Sequence, residues 1–231
     1  MSRITNYSFL FQSMFGRTIN SLSTPLNRIS VSALSSAATR QQLKAAGIDV
    51  NSKQYKAAIK QMMSGPGAAA GYTNIQCIKN LMKGYDKDGD YIDPTTGLAG
   101  LLVTDENRAS KNRIISIPES SREEMFELTK KEFLRENGVA NGDTTKRSDV
   151  YTNMYRKVQK NDRLAAGHTL EQYERAYRQA FYDAVKAADP SWEIGKPIKS
   201  GVLDNITRED VEKSLKQSSN KLVRNSIDYT I

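Results

Sequence analysis

Apolar residues near the start of the chain recur at alternating four- and three-residue steps, at Phe15, Ile19, Leu22, Leu26, Ile29 and Ala33. This is the spacing of one helix face or of a heptad seam. Pro25 interrupts it. With Thr24 as N-cap and Pro25 at the first helical position, the pattern predicts two helices instead of one. Tyr55, Ile59, Met62 and Met63 then share a face in a helix expected to end before Gly65, and Ile75, Ile78 and Met82 repeat the device up to Gly84.

From Ser120 the helical pattern strengthens. Ser121 with Glu124 predicts a capping box, Met125, Phe126, Phe133 and Leu134 supply an apolar stripe, and Gly138 is the expected stop. Ser148 or Asp149 is placed to cap a helix bearing Val150, Tyr151, Met154, Tyr155 and Val158. Thr169 with Gln172 predicts a second box, opening a helix whose face runs Leu170, Tyr173, Ala176, Tyr177, Ala180, Phe181, Ala184 and Val185 before Asp189-Pro190 ends it. A last helix is expected to start at Thr207, with Asp210 three residues on and Val211 and Leu215 facing inward. The brief apolar run Leu98–Val103 and the β-like segment Arg113–Pro118 leave room for one small sheet made from the two.

These elements predict a mainly α fold: a C-terminal helical bundle with a basic N-terminal helical arm and at most a small two-stranded β element. Residues 1–84 read as a basic, Ser/Thr-rich helical region, 85–118 as an Asp/Gly-rich loop and extended linker, and 119–231 as the helical C-terminal domain. Charge sharpens that division. The chain carries +8 overall, yet residues 1–84 hold ten Lys and Arg against Asp49 alone, so they account for +9 and the remainder is −1. Such an excess suits a polyanion, an anionic membrane surface or an acidic partner. The cations are spread out without interleaved aromatics, which argues for a solvated surface and against nucleic acid.

No apolar run approaches the roughly 20 residues needed to span a bilayer, and the N-terminus lacks the pattern of a cleaved secretory signal. The expected location is the cytoplasm, with export by a route that needs no cleaved signal as the alternative. Met1 to Arg40 contains no acidic residue and imitates an organellar transit peptide. Cys77 is alone, which fits a reducing compartment.

The most chemically suggestive stretch is Asp86-Lys87-Asp88-Gly89-Asp90-Tyr91-Ile92-Asp93. Calcium takes several oxygen ligands, and Asp86, Asp88 and Asp90 occupy positions one, three and five of an EF-hand-like loop, with Asp93 as a fourth carboxylate. The match breaks at the sixth position, Tyr91 where glycine belongs, and at the twelfth, Gly97 where a bidentate glutamate belongs. The competing reading is an Asp/Gly-rich turn. The glycine-rich stretch Gly65 to Tyr72 lacks the Gly-Lys-Ser/Thr ending of a phosphate loop and reads as a linker. His168 and Cys77 are single and form no motif, and zinc lacks ligands. Tyr151, Tyr155, Tyr173, Tyr177, Tyr182 and Trp192 read as core residues or as a partner-binding face.

Residues Asn137 to Ser148 and the run TLEQYERAYRQAFYDAVKAADPSW, Thr169 to Trp192, resemble the uncharacterised Firmicutes proteins grouped as domain of unknown function 3879, mainly over residues 110 to 216. The opening Ile4 to Phe11 and Met14-Phe15-Gly16 is similar to the start of small clostridial proteins. The resemblance implies a bacterial source, which displaces the transit-peptide reading, and it carries no activity from which site residues can be taken. The expectation is a non-enzymatic interaction or structural protein of a Gram-positive bacterium. Its seam, Phe15, Ile19, Leu22, Leu26 and Ile29, would dock on the protein itself, on a second copy or on a protein partner. The alternative is a calcium-responsive protein binding through Asp86, Asp88, Asp90 and Asp93.

Overall fold

The computed structural model describes residues 28–64, 71–139 and 145–215. Phe15, Ile19, Leu22, Leu26 and the Thr24-Pro25 cap lie outside the described residues, as do residues 65–70 of the glycine-rich stretch. Over the described residues the fold is mainly helical with two small antiparallel ribbons. The chain divides into two compact units, Met1–Leu102 and Val103–Ile231. Their parting falls inside the 85–118 stretch, and the Asp86–Asp93 loop belongs to the first unit. Among the described residues no helix is long and apolar enough to cross a membrane.

In the first unit, strand β1 (Ile29–Ser30) pairs antiparallel with β2 (Tyr72–Thr73), Ile29 opposite Thr73. The helical periodicity expected through Ile29 gives way here to extended backbone, because pairing with residues far along the chain overrides a local spacing. Ile29 is buried at 5% exposure in the unit's own core. Helix α1 (Ala37–Ala45) is capped by Ser36, whose Oγ accepts from the Thr39 amide, and α3 (Ile75–Met82) by Asn74, whose side chain accepts from the Cys77 amide. Between them α2 (Lys53–Ser64) begins where Ser52 Oγ accepts from the Tyr55 amide. Tyr55 and Met62 of α2 meet Leu43 of α1 and Ile78 of α3, with Ile29, Val31, Leu34 and Ile48 closing the cluster. Met63, expected on the same face as Met62, is half exposed instead.

The second ribbon is a hairpin of β3 (Ile92–Asp93) and β4 (Leu98–Ala99), whose turn uses Gly97 at φ +70°. Leu98–Ala99 therefore pairs with the aspartate loop's exit and not with the 113–118 segment. That segment carries no strand. The Ile115 amide donates to Thr169 Oγ1, and Ile117 is buried in the helical core. Ile117 and, in part, Ile115 find their burial against helices while Ile114 stays exposed, and that packing removes the need for a strand partner.

The second unit is built on α4 (Glu119–Glu136), α5 (Arg147–Lys157), α6 (Arg163–Ala188) and α7, helical over residues 208–215. Phe126, Phe133, Tyr177, Phe181 and Trp192 fill its core with Met125, Met154, Leu170 and Val211. Gly138 at φ +82° ends α4 as expected, the Val139 amide reaching back to the Leu134 carbonyl. Three expected caps are corrected. Helix α5 begins at Arg147, after Lys146 and without a side-chain cap, so Ser148 and Asp149 lie inside its first turn. Helix α4 already begins at Glu119, after Pro118, so Ser121 sits inside it with its hydroxyl buried. Helix α6 begins six residues before Thr169, whose hydroxyl donates to the Ala165 carbonyl, and this also draws His168 into the helix. A polar residue that reads as a cap is here bonding one turn back within a helix. At Thr207 the capping pair forms: its Oγ1 accepts from the Asp210 amide and donates to Asp210 Oδ2.

Candidate functional site

The aspartate loop is a tight turn between α3 and the β3–β4 hairpin. Its closure is set by backbone bonds from the Asp86 amide to the Asp90 carbonyl and from the Gly89 amide to the Asp86 carbonyl, with an isolated bridge between Tyr85 and Tyr91. Gly89 has φ +86°, and a Cβ there would come within 3.0 Å of the Lys53 carbonyl oxygen, so glycine is required on both counts. Gln54 ties the loop's entrance to α2, its Nε2 donating to the Met82 and Tyr85 carbonyls. Tyr85 packs edge-on to Tyr91, and burial together with Tyr91 pushes its hydroxyl up to about 12. Tyr91, which stands where an EF-hand would have glycine, is therefore part of the loop's apolar footing.

Asp86, Asp88 and Asp90 each offer a carboxylate oxygen within 4.8 Å of the others. Asp93 does not join them. Its Oδ1 accepts from the Thr95 amide and its carbonyl from the Gly97 amide, so it builds the hairpin turn. The donor set is all oxygen, which suits a hard cation such as calcium in kind. Three carboxylates fall short of the six to eight oxygens calcium takes, leaving carbonyls and water to complete the shell. Asp86 Oδ1 also accepts from the Asp88 and Asp90 amides. Those bonds alone are enough to shape a metal-free Asp/Gly turn.

The remaining candidates separate. Cys77 lies in the first unit, where burial raises its thiol pKa, the opposite of what an activated nucleophile needs. His168 lies on α6 of the second unit. Tyr177 and Trp192 are buried, and Tyr151, Tyr155, Tyr173 and Tyr182 pack partly buried against the same cluster, so these aromatics are chiefly core.

One arrangement left little trace in the sequence pattern. Arg208 of α7 is buried and surrounded by carboxylates: Nη2 meets Glu119 at 2.6 Å and also Glu209, Nη1 meets Glu212 at 3.3 Å, and Nε lies 2.7 Å from Glu123 without hydrogen-bond alignment. Glu212 also pairs with Arg122 and accepts from the Tyr177 hydroxyl at 2.7 Å. Burial and this hydrogen bond raise the pKa of Tyr177 far above its usual range. Glu119 and Arg208 are 89 positions apart, so the only linear signal was the i, i+4 spacing of Arg208 and Glu212. Nearby, a cleft of about 320 Å³ opens between α4 and α5, walled by Glu124, Glu127, Asp149 and Asn153. Glu124 is already engaged there by Lys157 and Asn153.

A family model described as Domain of unknown function (DUF3879) matches residues 48–231, so it takes in α2, the aspartate loop and the whole of the second unit. No curated protein and no solved structure matches the chain.

Proposed function

The chain belongs to the family of domain of unknown function DUF3879, and on that premise we propose that it is a non-enzymatic interaction or structural protein of a Gram-positive bacterium, acting in the cytoplasm. Its N-terminal residues engage a protein partner or a second copy. The observation that carries this reading is the concentration of charge: +9 over residues 1–84, a stretch that also holds the seam Phe15, Ile19, Leu22 and Leu26. A chain start that is both basic and periodically apolar has two means of holding an acidic partner surface. Ile29, the last of the five positions expected to make the contact, is taken up by the first unit's core, and the contact is assigned to the four earlier positions. Deleting residues 1–27 is expected to change the sedimentation behaviour or the captured partner while the far-ultraviolet circular dichroism of the remainder persists. Identical size and identical capture after the deletion would sink the reading.

A second reading rests on the convergence of Asp86, Asp88 and Asp90. Here the first unit takes up calcium and is stiffened by it. Calcium at millimolar concentration is expected to raise the melting temperature by mass action, and Asp88→Ala to abolish that rise. A flat calorimetric titration up to that concentration rules the reading out.

A further inference from the structure

We infer that the outer face of α2 is a docking surface for an anionic lipid bilayer. Lys53, Lys56 and Lys60 stand at i, i+3 and i+7, which on a helix of 3.6 residues per turn gathers them on one side. Tyr55, Ala58 and Met62 fill the opposite side and are buried. All three lysines are exposed, and none is paired with a described carboxylate. Met63, seven residues after Lys56 and so on the same side, leaves 50% of its surface open. The surroundings carry the same sign: residues 28–84 hold eight Lys and Arg, every one exposed, against Asp49. The Asp86–Asp90 loop meets α2 at its first residue, Lys53, at the far end from Met63, so the contact is weighted toward Lys56, Lys60 and Met63.

Lipid is favoured over nucleic acid by the composition of the face. Its cations are lysines, compact point charges suited to a diffuse anionic surface, where planar guanidinium groups would read or stack on bases better. The exposed aromatic ring nearby in sequence, Tyr72, is covered by the Arg28 guanidinium at 5.7 Å and offers no free stacking platform. An exposed thioether beside lysines instead matches the apolar and cationic edge of an interfacial helix.

The test uses the full chain and vesicles of mixed phosphatidylserine and phosphatidylcholine, with pure phosphatidylcholine vesicles beside them. The chain is expected to pellet with the anionic vesicles alone. Lys53→Gln/Lys56→Gln/Lys60→Gln should weaken the partition by about a hundredfold, and Lys60→Glu alone by about tenfold or more. Lys111→Gln/Lys196→Gln/Lys213→Gln, with the same net charge, should pellet like the original. Deleting residues 1–27 should leave the lysine-dependent binding in place, which separates this face from the arm. Absence of pelleting, equal loss in the two triple variants, or loss on the deletion alone would overturn the proposal. So would binding of a random-sequence duplex that the α2 triple variant loses while no vesicle is bound.

Discussion

The two units treat charge in opposite ways. In the first, the eight cations between Arg28 and Gly84 face solvent, none paired with a described carboxylate. In the second, Arg122, Arg147, Arg178 and Arg208 each meet a glutamate on another helix: Arg147 reaches both Glu132 and Glu174, and Arg178 reaches Glu132 and Glu136. Their cores differ in the same direction. The first is aliphatic with one tyrosine, and the second is a run of touching rings, Phe126 to Tyr177 at 5.2 Å, Phe126 to Phe181 at 5.4 Å and Phe133 to Phe181 at 5.9 Å. In the second unit charge is used to align helices over a large aromatic core. In the first, Arg28 lies over the Tyr72 ring and the fold closes without pairing its lysines, so the lysines are available to something outside it.

The largest test of that contrast is in the rings. Phe181 is fully buried, and Phe181→Ala is expected to cost about 3–5 kcal/mol. Trp192 is the sole tryptophan and sits in this core, so its fluorescence during urea unfolding reads the second unit directly. Leu43→Ala, an equally buried change in the first unit, should leave that fluorescence midpoint in place. A common shift for both variants would break the contrast.

Next in size is the buried ion cluster. Arg208→Ala leaves Glu212 buried with Arg122 as its remaining cation, and is expected to cost about 3 kcal/mol, the lower end for breaking a buried pair because Glu119, Glu123 and Glu209 can turn to water. Acid should mimic it. The Arg208 hydrogen bond and charge hold the Glu119 carboxyl below its usual 4.5. Its contribution is therefore complete above 4.5 and is lost as pH falls through the lower folded value. Amide exchange over residues 208–215 should rise in that window before exchange in α4 does.

Smaller again is the close approach of α5 and α6. A Cβ at Gly167 would lie 2.6 Å from the Tyr155 hydroxyl, so Gly167→Ala should destabilise by about 1–3 kcal/mol. Tyr155→Phe removes the clashing oxygen, and the double variant should recover part of the loss, a coupling that a thermodynamic cycle measures. The smallest effect has the opposite sign. Ser121 Oγ is buried with no partner, and Ser121→Ala should be neutral or stabilise by up to about 1 kcal/mol in chemical denaturation.

Much of this was written in local order. The residues lining α6 from Leu170 to Val185, the glycine stop at Gly138 and the Thr207–Asp210 cap are short-range facts, because helix periodicity and capping act within a few residues. The charge division between residues 1–84 and the remainder is likewise a count along the chain. Local order misled where a distant partner outbid it: Ile29 entered a strand because Thr73 lay opposite, and Ser121 and Thr169 became helix interior because the helices began earlier than their capping signatures. For the aspartate loop, the sequence named four carboxylates, and the tertiary structure decided that Asp86, Asp88 and Asp90 converge, that Asp93 turns to its own hairpin and that Tyr91 rests on Tyr85. Only folding could assemble Arg208 with Glu119 across 89 positions, or turn Tyr55, Ala58 and Met62 of α2 inward and leave its lysines outside. Ion pairing and burial depend on which surfaces meet, and that is settled by packing between elements and not by any stretch within them.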